Sequence, residues 1–431
     1  MTGSGVDARL VGRRLLAAPV KTRTRLVLAL LALALLIIGG VEGGPYLWWG
    51  IQVVLHARVA AAREPAALAA WQQTFGDPEA LEARFLRASD NATAERLVVL
   101  ARPLGIELEG ASPAFPEWSA IWQYVAQAAQ VSASGDLSGP PANVALYLDA
   151  HRSAIAAVAD LLAASDTPAW KCTVWSQLPL PRSSANLFSV LVLNRVLAVE
   201  ALVDARDGRA AEADRMMQAA WQVGRSVRDQ PQLVGQGMSL ALAAADLGVV
   251  RWTAVDAGLW RSRVDEYDDL AGMDRAIQME VVKHIPANAA RTLFQRAFLA
   301  DYLDGMRADL QRLRAVSFTD DHPVAMPTAT LDERPIGAGI AVVDIGRAGL
   351  DRAWLSALCA KLDVELTDRA LGARQARLAT GRWPAMMPDV SSTVVPSARW
   401  IYGLRAPDEI SISLSRPLRF CSAPLRFDAR R

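Results

Sequence analysis

From Leu26 to Val41 the chain runs sixteen residues without a charge (LVLALLALALLIIGGV). Six basic residues stand before this run (Arg9, Arg13, Arg14, Lys21, Arg23 and Arg25) against one acid, Asp7, and Tyr46, Trp48 and Trp49 follow it. Basic residues on one side and an aromatic belt on the other give a membrane anchor with its N-terminus inside. We assign Arg23 and Arg25 to the inner interface, and Tyr46, Trp48 and Trp49 to the outer one. A bilayer core of about 30 Å takes about twenty helical residues, so sixteen is slightly short, and the helix can continue through Glu42 and Gly43-Gly44 to Tyr46–Trp49. A secretory signal shares the basic start and apolar run, but Gly-Gly-Val-Glu-Gly-Gly-Pro is a poor peptidase site. We therefore read an uncleaved signal anchor.

Later apolar runs are interrupted: Val234–Val250 holds Gln236 and Asp246, and Ile336–Leu350 holds Asp344. Charge in mid-span is expensive in lipid, so these are expected to be buried helices of a folded domain. The expectation is one span, with the bulk of the chain on the periplasmic side of a bacterial inner membrane. Its segments are a cytoplasmic basic tail (1–25), the anchor (26–50), a helical periplasmic domain (51–380) and a small C-terminal β-containing element (381–431).

A formal net charge of +1 gives no whole-chain field for nucleic acid. Three cysteines (Cys172, Cys359, Cys421) are too few for a disulfide scaffold, although two of them can pair in an oxidising compartment. Spacing alone does not say which two.

Past the anchor the pattern is helical. Ile51–Ala70 reads as a stalk, and Asp77-Pro78-Glu79 opens a helix with an acid at its cap and proline in its first turn. Residues 101–118 carry five breakers and read as loop, and Ser134–Pro141 (SGDLSGPP) is a linker before a helix over Ala142–Ala164. Thr167–Ser184 is irregular, but its tryptophans should pin it onto a helical layer.

Three helices are expected over Asn186–Arg206, Ala210–Arg228 and Gln232–Val255, joined by turns short enough to force antiparallel packing. The helix across Arg352–Ala379 is followed by Thr380-Gly381-Arg382-Trp383-Pro384. Trp400–Leu404 and Ile410–Leu414 then predict a β-hairpin with a five-residue turn. Ile410, Ile412 and Leu414 alternate with serines, which places one face in a core. A lone hairpin is unstable, so it must pack on helices or a third strand. The fold class is mainly α: an N-terminal transmembrane helix, an antiparallel helical-hairpin ectodomain and a small C-terminal β-hairpin.

The order of anchor, stalk, three-helix block and Gly-Arg-Trp-Pro before a hairpin resembles a group of uncharacterised bacterial single-pass membrane-anchored helical proteins. No activity comes with that resemblance. Gly208, Ala213 and Ala220 sit where a tetratricopeptide hairpin uses a turn glycine and two small packing residues, so residues 187–230 resemble one such repeat, without a second copy at that period. The helix–Gly-x-Trp-Pro–hairpin order is also similar to the end of a pseudopilin, but there the anchor directly precedes the head.

The four histidines (His56, His151, His284, His322) form no H-E-x-x-H, and Cys-x-x-Cys, P-loop and EF-hand patterns are absent. Glu280 and His284 lie four apart and could join a metal site; an intrahelical contact is the simpler account. Asp320-Asp321-His322 before Pro323 could ligate a cation, but reads first as a solvated acidic turn. Ser239 in Gly-x-Ser-x-Ala imitates a nucleophile elbow but is flanked by helix on both sides. Gly337-x-Gly339 lacks the third glycine of a dinucleotide loop. Asp265–Asp269 reads as a solvated helix start, with a docking patch as its functional alternative. Tryptophans at 118, 122, 221, 252, 260 and 354 read as core packing, with a ligand groove as the alternative.

No catalytic, cofactor or metal site is assigned. The expected function is a membrane-tethered periplasmic scaffold or protein-interaction protein, with the lipid bilayer and an envelope protein as partners and nucleic acid excluded. The alternatives are a metal-dependent envelope hydrolase, or an accessory subunit of a larger membrane complex.

Overall fold

A computed structural model of the chain describes residues 52–110, 114–130, 138–174, 184–228, 230–253, 256–267, 269–283, 285, 291–315, 318–319, 322–323, 337–418, 420–421 and 425–430. The anchor Leu26–Val41 and its interface residues Arg23, Arg25, Tyr46, Trp48 and Trp49 lie outside the described residues. So do residues 134–137 of the expected linker, Trp175, His284 and Asp320-Asp321.

The described chain is mainly helical and closes on a small antiparallel sheet. The helices are α1 (52–75), α2 (Pro78–Phe85), α3 (Ala92–Ala101), α4 (Trp118–Gln130), α5 (Ala142–Ala164) and α6 (Leu187–Arg206). They continue with α7 (Ala210–Arg225), α8 (Leu233–Trp252), α9 (Ala257–Asp265), α10 (Asp269–Val282), α11 (Leu293–Arg314) and α12 (Gly337–Thr380). The strands are β1 (Phe318–Thr319), β2 (His322–Pro323), β3 (Val390–Ser391), β4 (Arg399–Ala406), β5 (Glu409–Leu414) and β6 (Arg426–Arg430).

Local chemistry sets the helix starts. Asp77 accepts from the Glu79 amide at 3.4 Å, with Pro78 as the first helical residue of α2. Asn186 accepts from the amides of Phe188 and Ser189 at 3.1 and 3.2 Å and donates to the Gly110 carbonyl at 2.8 Å. That one side chain starts α6 and ties down a loop. Gly208, with φ +78°, makes the reversal between α6 and α7 that a side chain would strain. Helix α12 begins fifteen residues before the expected Arg352 and absorbs the Gly337-x-Gly339 segment, which is therefore helix and not a loop.

Two cores result. In the first, α3 to α9 pack around residues such as Leu97, Ile121, Leu193, Leu197, Trp221 and Trp260, and Val364 and Leu371 of α12 join them. The loop after α5 is pinned there as expected: Trp170 is fully buried, and Asn91 bonds the Thr167 carbonyl and the Ala169 amide at 3.0 Å each. In the second core, α10, α11, α12 and the sheet pack with Trp71 of α1. Helix α1 is therefore not a free stalk. Ala57, Ala60 and Ala61 close against Ala297 of α11, where only small side chains allow such an approach.

The C-terminal sheet has four strands in the order β3-β4-β5-β6, all antiparallel, so the expected hairpin is flanked on both sides. Its turn is tighter than five residues: Ala406 pairs with Glu409, and a register shift between Leu404 and Ala406 absorbs the difference. Ile410, Ile412 and Leu414 are buried as their alternation requires, and they meet α12. Cys359 of α12 and Cys421 form a disulfide, and Cys172 is free and buried.

Candidate functional site

Helices α6, α7 and α8 pack on one another, α6 and α8 being mostly apolar, and they enclose a cluster of polar side chains. Asp246, which interrupts the apolar run of α8, is 1% exposed. Asn194 of α6 donates to its Oδ1 at 2.9 Å and to the Ala220 carbonyl at 3.0 Å. The Tyr267 hydroxyl donates to Oδ2 at 3.3 Å. Gly224 of α7 makes the room, since a Cβ there would stand 3.1 Å from the same oxygen.

Two guanidiniums complete the cluster. Arg228 lies between aromatic faces, 4.1 Å from the Trp221 ring centre and 3.7 Å from that of Tyr267. Trp221 in turn meets Tyr267 and Trp260 edge-on. Arg195 donates to the Ala241 carbonyl at 2.7 Å and lies 4.8 Å over the ring of Trp122. Its Nε and Nη1, and Nε and Nη2 of Arg228, are buried without hydrogen-bond partners. Burial pushes the Asp246 carboxyl up to about 6, against the opposing pull of Asn194, Arg195, Arg228 and Tyr267. Burial likewise pushes Arg195 down to about 10, opposed by Asp246.

Chemically this is a charge-compensation centre. One carboxylate, two cations and a phenol are sealed among packed helices, so proton uptake near pH 6 is the reaction within its reach. A second polar group lies beside it on α6. Burial also raises the carboxyls of Glu200 and Asp204, and Asp204 takes an ion pair from Arg209 at 2.7 Å.

The far end of α8 is capped by α12. Arg374 donates to the carbonyls of Val250, Trp252 and Thr253. Arg251 reaches Asp363 at 2.8 Å and the Thr367 hydroxyl at 2.6 Å. These bonds join the two cores. By length and composition α8 is also apolar enough to cross a membrane, and 61% of its apolar window is buried inside the fold.

A third constellation sits where α1 enters the body. Pro65 has no amide hydrogen to give the Ala61 carbonyl, the partner one helical turn back. Arg296 of α11 donates to that carbonyl instead, at 3.3 Å, and its Nε bonds Glu64 at 2.6 Å. Arg291 bonds the other Glu64 oxygen, and Glu64 is buried beneath the pair.

The residues weighed in sequence fall differently. Glu280 pairs with Lys283, one residue before His284. His322 pairs with Thr319 in the β1–β2 ladder. No group of three metal-binding side chains occurs among the described residues. Ser239 is buried inside α8, a packing residue as expected. Asp265–Asp269 is not one solvated helix start: it spans the junction of α9 and α10, and Tyr267 within it is buried at the Asp246 cluster. Trp221, Trp260 and Trp354 are core residues, whereas Trp122 remains partly exposed beside Trp118 and Phe188. Asn194, Arg195 and Arg228 were not singled out from sequence. The signal was a polar pair inside an apolar helix, two helices before the aspartate it serves. Comparison with protein families, curated proteins and solved structures finds no match for this chain, so its function rests on its own chemistry.

Proposed function

We propose that this protein is a membrane-tethered interaction protein of the bacterial envelope, anchored by Leu26–Val41 with residues 51–431 on the periplasmic side. The Cys359–Cys421 disulfide carries the compartment part of this reading, because such bonds persist where the surroundings are oxidising. The binding part is supported by the aromatic surface over the polar centre. Trp122 and Phe188 are 38% and 41% exposed, and Trp118 stands between them at 5.3 and 5.0 Å. Exposed aromatics beside an arginine are the composition of interface anchors. The Asp246 cluster is sealed beneath this surface and holds helices in place.

The test is photo-crosslinking in native membranes from an unnatural side chain at position 122, followed by mass spectrometry. A single envelope protein trapped at position 122, and not from Leu146 on the exposed side of α5, is the expected result. Loss of the reading would follow if neither position traps a protein while the purified full chain turns over a substrate.

A further inference from the structure

The N-terminal ends of α1 and α11 carry apolar side chains with no cover among the described residues. The two helices run in the same direction. Ala57, Ala60 and Ala61 meet Leu293 and Ala297, and Arg63 pairs farther along with Asp301 and Asp304. Contacts thus advance together along both helices, and both N-termini point the same way. At this end Leu55 is 48% exposed, Val59 66% and Phe294 52%. Leu55 and Val59 lie one turn apart, opposite the alanine face that packs on α11. Arg58 is exposed between them, and the Arg296 side chain is 42% exposed beside Phe294.

Leu55 follows Trp49 by six positions. That is a span of about 9 Å as helix and about 20 Å at full extension. The same rim therefore lies within reach of the layer where Tyr46, Trp48 and Trp49 are placed. Apolar side chains with interspersed arginines match a headgroup boundary, where the carbon chains enter the lipid and the cations meet phosphate.

We infer that Leu55, Val59 and Phe294 form a membrane-docking rim that seats the folded domain on the outer leaflet of the bilayer that anchors it. This rests on the tethered reading above. The bonds of Arg291 and Arg296 to Glu64 and the Ala61 carbonyl, one to two turns past the rim, fix α11 to α1 so that both helix ends are presented to one surface.

The full chain, with Cys172→Ala to remove the free thiol, is spin-labelled at Leu55→Cys or Phe294→Cys. It is then reconstituted into vesicles of phosphatidylethanolamine with a minority of phosphatidylglycerol. Leu146→Cys and Trp48→Cys serve as references, and accessibility to oxygen is compared with accessibility to a water-soluble nickel chelate. The labels replace exposed side chains, so the fold is retained. Labels at 55 and 294 should favour oxygen severalfold over the label at 146, approaching the label at 48. If 55 and 294 behave like 146 while 48 is immersed, the rim is overturned and the tether stands. Water-like access at 48 as well would overturn both. Spin–spin broadening between molecules, or protection at 294 from both reagents, would show a protein in place of lipid and also overturn the rim.

Discussion

Around Asp246, α6, α7 and α8 bury a carboxylate, two guanidiniums, an amide and a phenol in an otherwise apolar stack. In the second core, Trp71, Leu303, Leu362, Trp400 and Ile410 form an apolar cluster, and a covalent bond between Cys359 and Cys421 closes it. Both regions contain long helices in short-turn connections, so the difference lies in what fixes their register. Apolar helices can slide by a turn at modest cost, but a slip in the first region would strand Asn194 and Arg195 away from Asp246. In the second region the sheet ladder and the disulfide do that work, and the interior needs no polar centre.

Substitutions separate the two devices. The largest effect is expected for Asp246→Leu, which leaves Arg195 and Arg228 buried without an anion and should cost about 3–5 kcal/mol. Urea unfolding of the full chain in detergent measures it, and a cost below that of an average surface change would break the comparison. Cys359→Ser should cost about 2–4 kcal/mol, because the bridge spans 62 residues of sequence. Hydrogen exchange should then rise in β4 and β5 and stay unchanged in α6.

The third effect is a pH dependence. The folded chain holds the Asp246 proton up to about pH 6, whereas the unfolded chain releases it in the ordinary carboxylate range. Stability from this group is therefore greatest at low pH and declines as pH rises toward 6, by about 2–3 kcal/mol. Subtracting the curve of Asp246→Asn isolates it from Glu200 and Asp204, whose carboxyls are also raised by burial. A difference curve flat between pH 4 and 7 would remove the role given to Asp246. The smallest effects are those of the caps. Asn186→Ala in the first region and Thr292→Ala in the second should each cost about 1 kcal/mol by thermal unfolding. A much larger loss at Asn186 would show that its bond to Gly110 matters more than the cap.

Element boundaries were legible where local chemistry decides them. Asp77-Pro78, Asn186, Asp207-Gly208 and the Ile410–Leu414 alternation each placed an end or a face correctly, because caps, turns and period-two patterns act within a few residues. The start of α12 was missed, since Gly337-x-Gly339 gives a weak local signal that long-range packing overrides. The hairpin's outer strands were missed for the same reason: β3 is two residues long, and only its partner β4 defines it. Asp246 stood out as an interruption of an apolar run. Its partners did not, because Asn194, Arg228 and Tyr267 come from separate elements and nothing in their spacing brings them together. The Asp265–Asp269 segment misled for a related reason: four acids masked the one aromatic in it that faces inward.

Pro65 has a mechanical corollary. The hydrogen bond it withholds from Ala61 is supplied from a different helix by Arg296, whose other arm holds Glu64. A pull along the N-terminal segment is therefore shared at this joint between two rods instead of unwinding one. The load then enters α11, whose Leu299, Leu303 and Leu310 belong to the core that the Cys359–Cys421 disulfide closes.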